Sequence, residues 1–141
     1  MLDLGLGGKV AIITGGSEGL GRAAAQKLAA EGARVAICAR RPDVLERAAA
    51  GIRSAGGQVL ARPVDVSKAD QLDVFVSQVV SEWGGVDILL NNAGTSAAAS
   101  FEAVDDAAWV HDLELKLFSA VRLCRLCIPH MKKRGGGRII N

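Results

Sequence analysis

Short β-branched runs alternating with amphipathic segments constrain this chain more than any other feature of its sequence. The runs are Lys9–Thr14, Ala33–Ala39, Gln58–Val66, Val86–Leu90 and Arg138–Asn141. Most are apolar on both faces, the pattern of strands buried between two helix layers. Between them, Gly19–Glu31 is Ala-rich, with Leu20, Ala24 and Leu28 on one stripe. Pro42–Ala55 opens on a proline suited to a first helical position. Ser67 reads as an N-cap ahead of Leu72, Phe75, Val76, Val79 and Val80 at helical spacing. A longer helix is predicted from about Asp105 to Lys132. Strand–helix–strand repeated in this way calls for right-handed crossovers and a parallel sheet. The predicted fold class is therefore α/β, a doubly wound parallel sheet with strand order 3-2-1-4-5.

The segment Thr14-Gly15-Gly16-Ser17-Glu18-Gly19-Leu20-Gly21 falls between the first strand and the first helix. Glycines there let the backbone turn tightly and approach a bound group. The helix start adds free N–H groups and the positive end of a dipole, which favour a pyrophosphate. Gly19-x-Gly21-x-x-Ala24 also satisfies the dinucleotide fingerprint of a Rossmann-type domain. The competing interpretation is a glycine-rich turn with no ligand.

Composition narrows the function. Seventeen basic and fifteen acidic residues give a net charge of +2, without segregation, so no nucleic-acid or membrane partner is expected. No apolar run approaches a membrane span, and MLDLGLGGKV does not resemble a signal peptide. Three cysteines make no disulfide framework and suit a reducing, cytoplasmic setting.

Thr14, Gly15, Gly19 and Gly21 form Thr-Gly-x-x-x-Gly-x-Gly, which resembles the cofactor signature of the short-chain dehydrogenase/reductase family (SDR). Further matches follow in order: Asp65-Val66 at the end of the third strand, Asn91-Asn92-Ala93-Gly94 after the fourth, and Pro129-His130-Met131 leading to Gly135–Asn141. The resemblance spans essentially the whole chain and implies an oxidoreductase, with a homo-oligomer as its usual assembly. It implies cofactor contacts from Thr14, Gly15, Ser17, Glu18, Gly19, Leu20 and Gly21 in the loop. Asp65 would receive the adenine amino group beside Val66, and Asn92, Ala93 and Gly94 would line the site.

A carboxylate ending the second strand would accept both ribose hydroxyls and repel a 2′-phosphate. That position is Ala39, followed by Arg40 and Arg41. Guanidinium groups there suit NADP(H) over NAD(H), although two arginines in a solvated loop would look the same. Glu18 counts against NADP(H), because many NADP-preferring relatives carry a basic residue there.

The resemblance also implies a proton relay of Ser, Tyr-x-x-x-Lys and a helix Asn, since hydride transfer must be matched by a proton at the substrate oxygen. The chain contains no Tyr. The Ser and the Tyr-x-x-x-Lys pair are expected beyond Asn141, so residues 1–141 are expected to form an incomplete dinucleotide-binding domain, without its C-terminal strands and inactive alone. The Asn position is held by Lys116, seven residues after Trp109 and thirteen before Pro129. Lys116 is either a substrate-facing cation or part of a solvated face with Ser119, Arg122 and Arg125.

Two functions remain open at this point. One is hydride transfer between NADP(H) and a small-molecule carbonyl or alcohol. The other is a non-catalytic nucleotide-binding module or remnant. No metal is expected: Cys124-x-x-Cys127 lies within an apolar helix, and His111 and His130 lack ligand neighbours. Trp83 reads as packing. The stripe Leu113, Leu117, Val121, Cys124 and Ile128 is expected to face either the core or a partner.

Overall fold

In a computed structural model, which describes residues 2–95 and 98–141, the alternation becomes five parallel strands. They are β1 (Val10–Thr14), β2 (Arg34–Ala39), β3 (Gln58–Pro63), β4 (Ile88–Leu90) and β5 (Arg138–Ile140). Their order is β3-β2-β1-β4-β5, as expected, with β1 central. Its residues pair in register with Arg34–Cys38 on one side and Ile88–Leu90 on the other.

The helices are α1 (Gly19–Ala30), α2 (Pro42–Ser54), α3 (Ala69–Trp83), α4 (Asp106–Leu113) and α5 (Ser119–Lys133). Alternation along β1 divides the core in two, because successive strand side chains point to opposite faces. Val10 and Ile12 join Leu72, Phe75, Val79, Leu123, Cys127 and Met131 from α3 and α5. Ala11 and Ile13 join Ala25, Leu45, Ala48, Ala49 and Ile52 from α1 and α2. Both faces of the sheet are covered, which is why β1 is buried at every position.

Four local expectations change. β3 stops at Pro63 rather than Val66, because its neighbour β2 ends at Ala39, the partner of Pro63. The α1 residues turned to the sheet are Gly21 and Ala25, while Leu20 is 83% exposed. A smaller side chain on that face brings the helix closer to the strands. Ser67 does not cap α3: Lys68 holds the N-cap position, and the Ser67 hydroxyl donates instead to Asp65 Oδ1 at 2.7 Å. The long helix predicted from Asp105 is interrupted by a π turn at Glu114–Phe118. Asp105 is its cap, accepting from Ala108 N at 2.9 Å.

Past the π turn, Ser119, Leu123, Cys127 and Met131 face inward. Leu113, Leu117, Val121 and Ile128 are 37–50% exposed, so most of the stripe picked out in the sequence lies on the outer side. No helix among the described residues is long and apolar enough to cross a membrane.

Candidate functional site

The C-terminal ends of β1, β2 and β4 open onto a pocket of about 310 Å³. Gly15, Ser17, Glu18 and Gly19 line it from the glycine loop, and Cys38, Ala39, Arg40 and Arg41 from the end of β2. Val64 and Val66 come from beyond β3, and Asn92, Ala93, Gly94 and Thr95 from beyond β4. Four segments far apart in sequence thus meet where open parallel sheets bind their ligands.

The loop is held by its backbone. Gly15 N and Gly16 N both donate to Cys38 O, at 2.9 and 3.2 Å. Gly15 and Gly19 have φ of +65° and +56°, a region costly for residues with a Cβ. A Cβ on Gly21 would press against Gly15 O and the Asn92 amide nitrogen, so this glycine lets the first turn of α1 pack on the loop. Gly19 is different: a Cβ there would meet nothing within 4 Å, which leaves the loop's outer side open.

Thr14 is buried and serves as a tie. Its Oγ1 accepts from Asn92 N at 3.0 Å and from Ala93 N at 2.9 Å. The Asn92 amide donates to Gly15 O at 3.3 Å. These bonds lock the segment after β4 against the glycine loop. Thr14 and Gly21 therefore shape the pocket from behind, and the exposed Leu20 lies outside its lining.

Asp65 is also outside the lining. Val64 and Val66 line the pocket and are buried. Asp65 Oδ1 is taken by Ser67 N and Oγ, at 3.0 and 2.7 Å. The Ser67 hydroxyl bond is the main cause holding this carboxyl below its ordinary value, with smaller contributions from Lys68 and Arg40. Val64 and Thr95 were not picked out in the sequence.

Arg40 and Arg41 stand on one side of the pocket. Ala39 ends β2 with no carboxylate, and Arg40 and Arg41 follow. Arg41 NH2 donates to Glu18 Oε2 at 2.8 Å, while Arg40 makes no ion pair among the described residues. Cys38 also lines the pocket, but burial pushes its thiol up to about 12, so it is no nucleophile at neutral pH.

The start of α1 suits a phosphate group. The N-cap of α1, Glu18, makes no side-chain capping bond, so the first-turn N–H groups stand free beside an open loop face. An uncapped helix start with glycines in front of it accepts phosphate.

Other candidates lie elsewhere. Lys116 sits in the π turn, with Nζ 2.9 Å from Asp112 Oδ1, and does not line the pocket. Cys127 is buried and its thiol is also pushed up to about 12 by desolvation. No group of three or more potential metal ligands occurs among the described residues.

With this geometry in place, comparison with known proteins gives the class. The sequence model of the family described as short chain dehydrogenase matches residues 9–141, and the chain belongs to that family. An uncharacterised oxidoreductase of Mycobacterium bovis is 43% identical over 141 residues, covering 95% of this chain and 41% of its own length. Across the curated relatives it matches, the chain spans roughly half their length. L-sorbose reductase from Gluconobacter frateurii, solved with NADPH and L-sorbose, superposes with a TM-score of 0.95 at 43% identity. That alignment covers 98% of this chain and 53% of the reductase. A 7α-hydroxysteroid dehydrogenase solved with NADH and 7-oxo glycochenodeoxycholic acid superposes at 0.91 and 36% identity, covering 95% and 52%.

Proposed function

We propose that these residues are the cofactor-binding part of an oxidoreductase that moves hydride between NADP(H) and a carbonyl or alcohol substrate. The observation that carries the reading is the pocket itself. An uncapped, glycine-fronted helix start lies on one side of it, and Ala39-Arg40-Arg41 replaces an acidic strand end on the other. The NADPH complex of L-sorbose reductase supports the reading. The NADH complex of the hydroxysteroid dehydrogenase means that the scaffold alone does not choose, so the preference rests on the arginines.

The glycine loop and the start of α1 would hold the pyrophosphate, and Arg40 the 2′-phosphate. Val64 and Val66 would pack on the adenine, with Asn92–Gly94 along the rest of the dinucleotide. When bound, the cofactor supplies or accepts the hydride. These residues bind it, orient it and shield it from water.

No Tyr occurs in the 141 residues, so the family's proton donor is not among them, and this stretch by itself is read as binding without turnover. The other reading is a non-catalytic nucleotide-binding module. A panel of carbonyl compounds assayed with NADPH and the intact protein separates the two. The exposed apolar residues of α4 and α5 support a homo-oligomer, and three unpaired cysteines a cytoplasmic setting.

Arg40→Ala tests the cofactor assignment. A charge-assisted hydrogen bond contributes roughly 1.5–3 kcal/mol, so NADPH binding should weaken about ten- to a hundredfold while NADH binding hardly changes. Equal losses for both, measured by calorimetric titration, overturn the assignment.

A further inference from the structure

A second concavity, of about 540 Å³, lies between the segment ahead of α4 and the first turns of that helix. A short helical turn at Phe101–Ala103 and the Asp105 cap of α4 set its two aromatic walls. The Phe101 and Trp109 rings meet edge to face, with 6.4 Å between centroids. Ala98, Ala99 and Ala108 add only methyl groups to the lining, which leaves the room open. Every lining residue but one is apolar, and the exception, Asp112, is already paired with Lys116 at 2.9 Å. Core packing does not use the aromatic pair: Phe101 is 78% exposed and Trp109 49%. Nor is the cavity a continuation of the outer helix stripe, because Leu113, Leu117 and Val121 line no part of it.

Size, composition and place together favour a small molecule over a second protein surface. Ligand pockets hold roughly 300–1,000 Å³ and are lined mainly by apolar and aromatic groups. Thr95 lines the pocket at the C-terminal end of the sheet, and Ala98 lines this one. They are three residues apart, so their Cα atoms lie within about 11 Å of each other. A hydrocarbon ring system or chain of moderate length spans that gap. We infer that this cavity takes the apolar body of the substrate, a carbonyl or alcohol compound bearing an uncharged hydrocarbon ring or chain rather than a polyol. Phe101, Ala108 and Trp109 are then specificity-determining residues. This rests on reading the first pocket as the cofactor site.

The test uses the intact protein with NADPH and two probes, benzylacetone for the apolar class and dihydroxyacetone for the polyol class. Wild type should reduce benzylacetone with the higher kcat/KM. Ala108→Leu fills the cavity from an exposed helix position and should lower that value roughly tenfold or more, the cost of a misfit side chain in an apolar pocket. The loss should fall mainly on KM. Phe101→Ala, which opens one wall, should lower it as well. NADPH affinity, titrated separately, and the sedimentation coefficient should stay as in wild type for both variants. A wild type that prefers dihydroxyacetone overturns the inference, as do variants that leave benzylacetone kinetics unchanged. Variants that alter sedimentation and not selectivity overturn it too, because the cavity is then a contact between copies. A wild type that binds NADPH yet reduces neither probe overturns this inference alone. One that binds no NADPH overturns the cofactor reading first, and this inference with it.

Discussion

Thr14→Val is the most informative single change, because it alters one atom type at the junction of two pocket walls. The side chain is 2% exposed, and valine fills nearly the same space. What is lost is one oxygen that accepts from Asn92 N and Ala93 N, at 3.0 and 2.9 Å. Its own donation to Leu90 O is long, at 3.5 Å, and counts for little. The variant strands two backbone donors against a methyl group. An unsatisfied buried donor costs about 1–3 kcal/mol. Water reaches this partly buried segment from the pocket side, so about 2–4 kcal/mol for the pair is the reasonable sum. For a domain of this size that lowers Tm by roughly 6–15 °C. Thr14→Ser keeps the oxygen and loses one methyl, worth about 0.8 kcal/mol. Thermal melts of the intact protein, followed by circular dichroism, should therefore rank wild type, Ser, then Val well below. NADPH should also bind Thr14→Val more weakly, since Asn92–Gly94 line the pocket. A valine variant melting within about 2 °C of wild type, or a serine variant falling equally far, would show that the hydroxyl is not the tie.

Two further outcomes follow from the titratable groups. Asp65 is held below its ordinary value of 3.8, chiefly by the Ser67 hydroxyl. Its folded value is the lower one, so its stabilising contribution is fully present above 3.8 and disappears only as the pH falls through that lower value. Ser67→Ala should move the Asp65 midpoint upward in a carboxyl-carbon NMR titration, and an unmoved midpoint would refute the assigned cause. Among the cysteines, Cys38 and Cys127 are buried with thiols pushed up to about 12, whereas Cys124 is only half-buried. A thiol reagent at pH 8 should label Cys124 in the native protein and spare the other two. Rapid labelling of Cys38 or Cys127 would contradict their burial.

Strand order was legible because the runs were short and most were two-faced, a pattern that admits few topologies. Much of the pocket lining was legible as well, since glycines and the Asn92-Ala93-Gly94 segment carry their roles in residue type. Side-chain aim was not. Asp65 and Val66 were read as one unit, yet past the end of β3 Val66 lines the pocket while Asp65 Oδ1 is taken by Ser67. Spacing alone gave α1 a Leu20–Ala24–Leu28 stripe, because periodicity fixes the interval between buried positions and not the phase. In the fold Gly21 and Ala25 face the sheet, Leu28 packs against the core beside them, and Leu20 is turned outward. Ser67 had the composition of a cap and was drawn off by a nearer carboxylate, a competition between local acceptors that residue type does not decide. The Glu18–Arg41 pair was illegible for a simpler reason: it joins residues 23 positions apart through the turn of the fold.

The two ends of the sheet divide the work, and the contrast helps to separate the binding site from a pocket of similar size. At the N-terminal end a cavity of about 330 Å³ is lined by Lys9, Asp87, Arg134 and Arg138, among others. Its central polar groups are already engaged. The buried Asp87 carboxylate accepts from Val10 N at 2.8 Å and lies 3.4 Å from Arg134. Arg134 also donates to Trp83 O at 2.9 Å, closing the turn where α3 ends on Gly84 with φ +83°. A carboxylate and a guanidinium with partners on several sides join β1, β4 and the ends of two helices, and they have little left to offer a ligand. At the C-terminal end the bonding is arranged the other way. Thr14 Oγ1 accepts from the backbone after β4 and Asn92 Nδ2 donates to Gly15 O, which fixes the loop while leaving the first N–H groups of α1 free. Polar satisfaction behind the loop, and its absence in front, are what a phosphate-binding surface needs. That asymmetry, more than pocket size, supports the proposal of a cofactor at the end of the sheet where Arg40 and Arg41 stand.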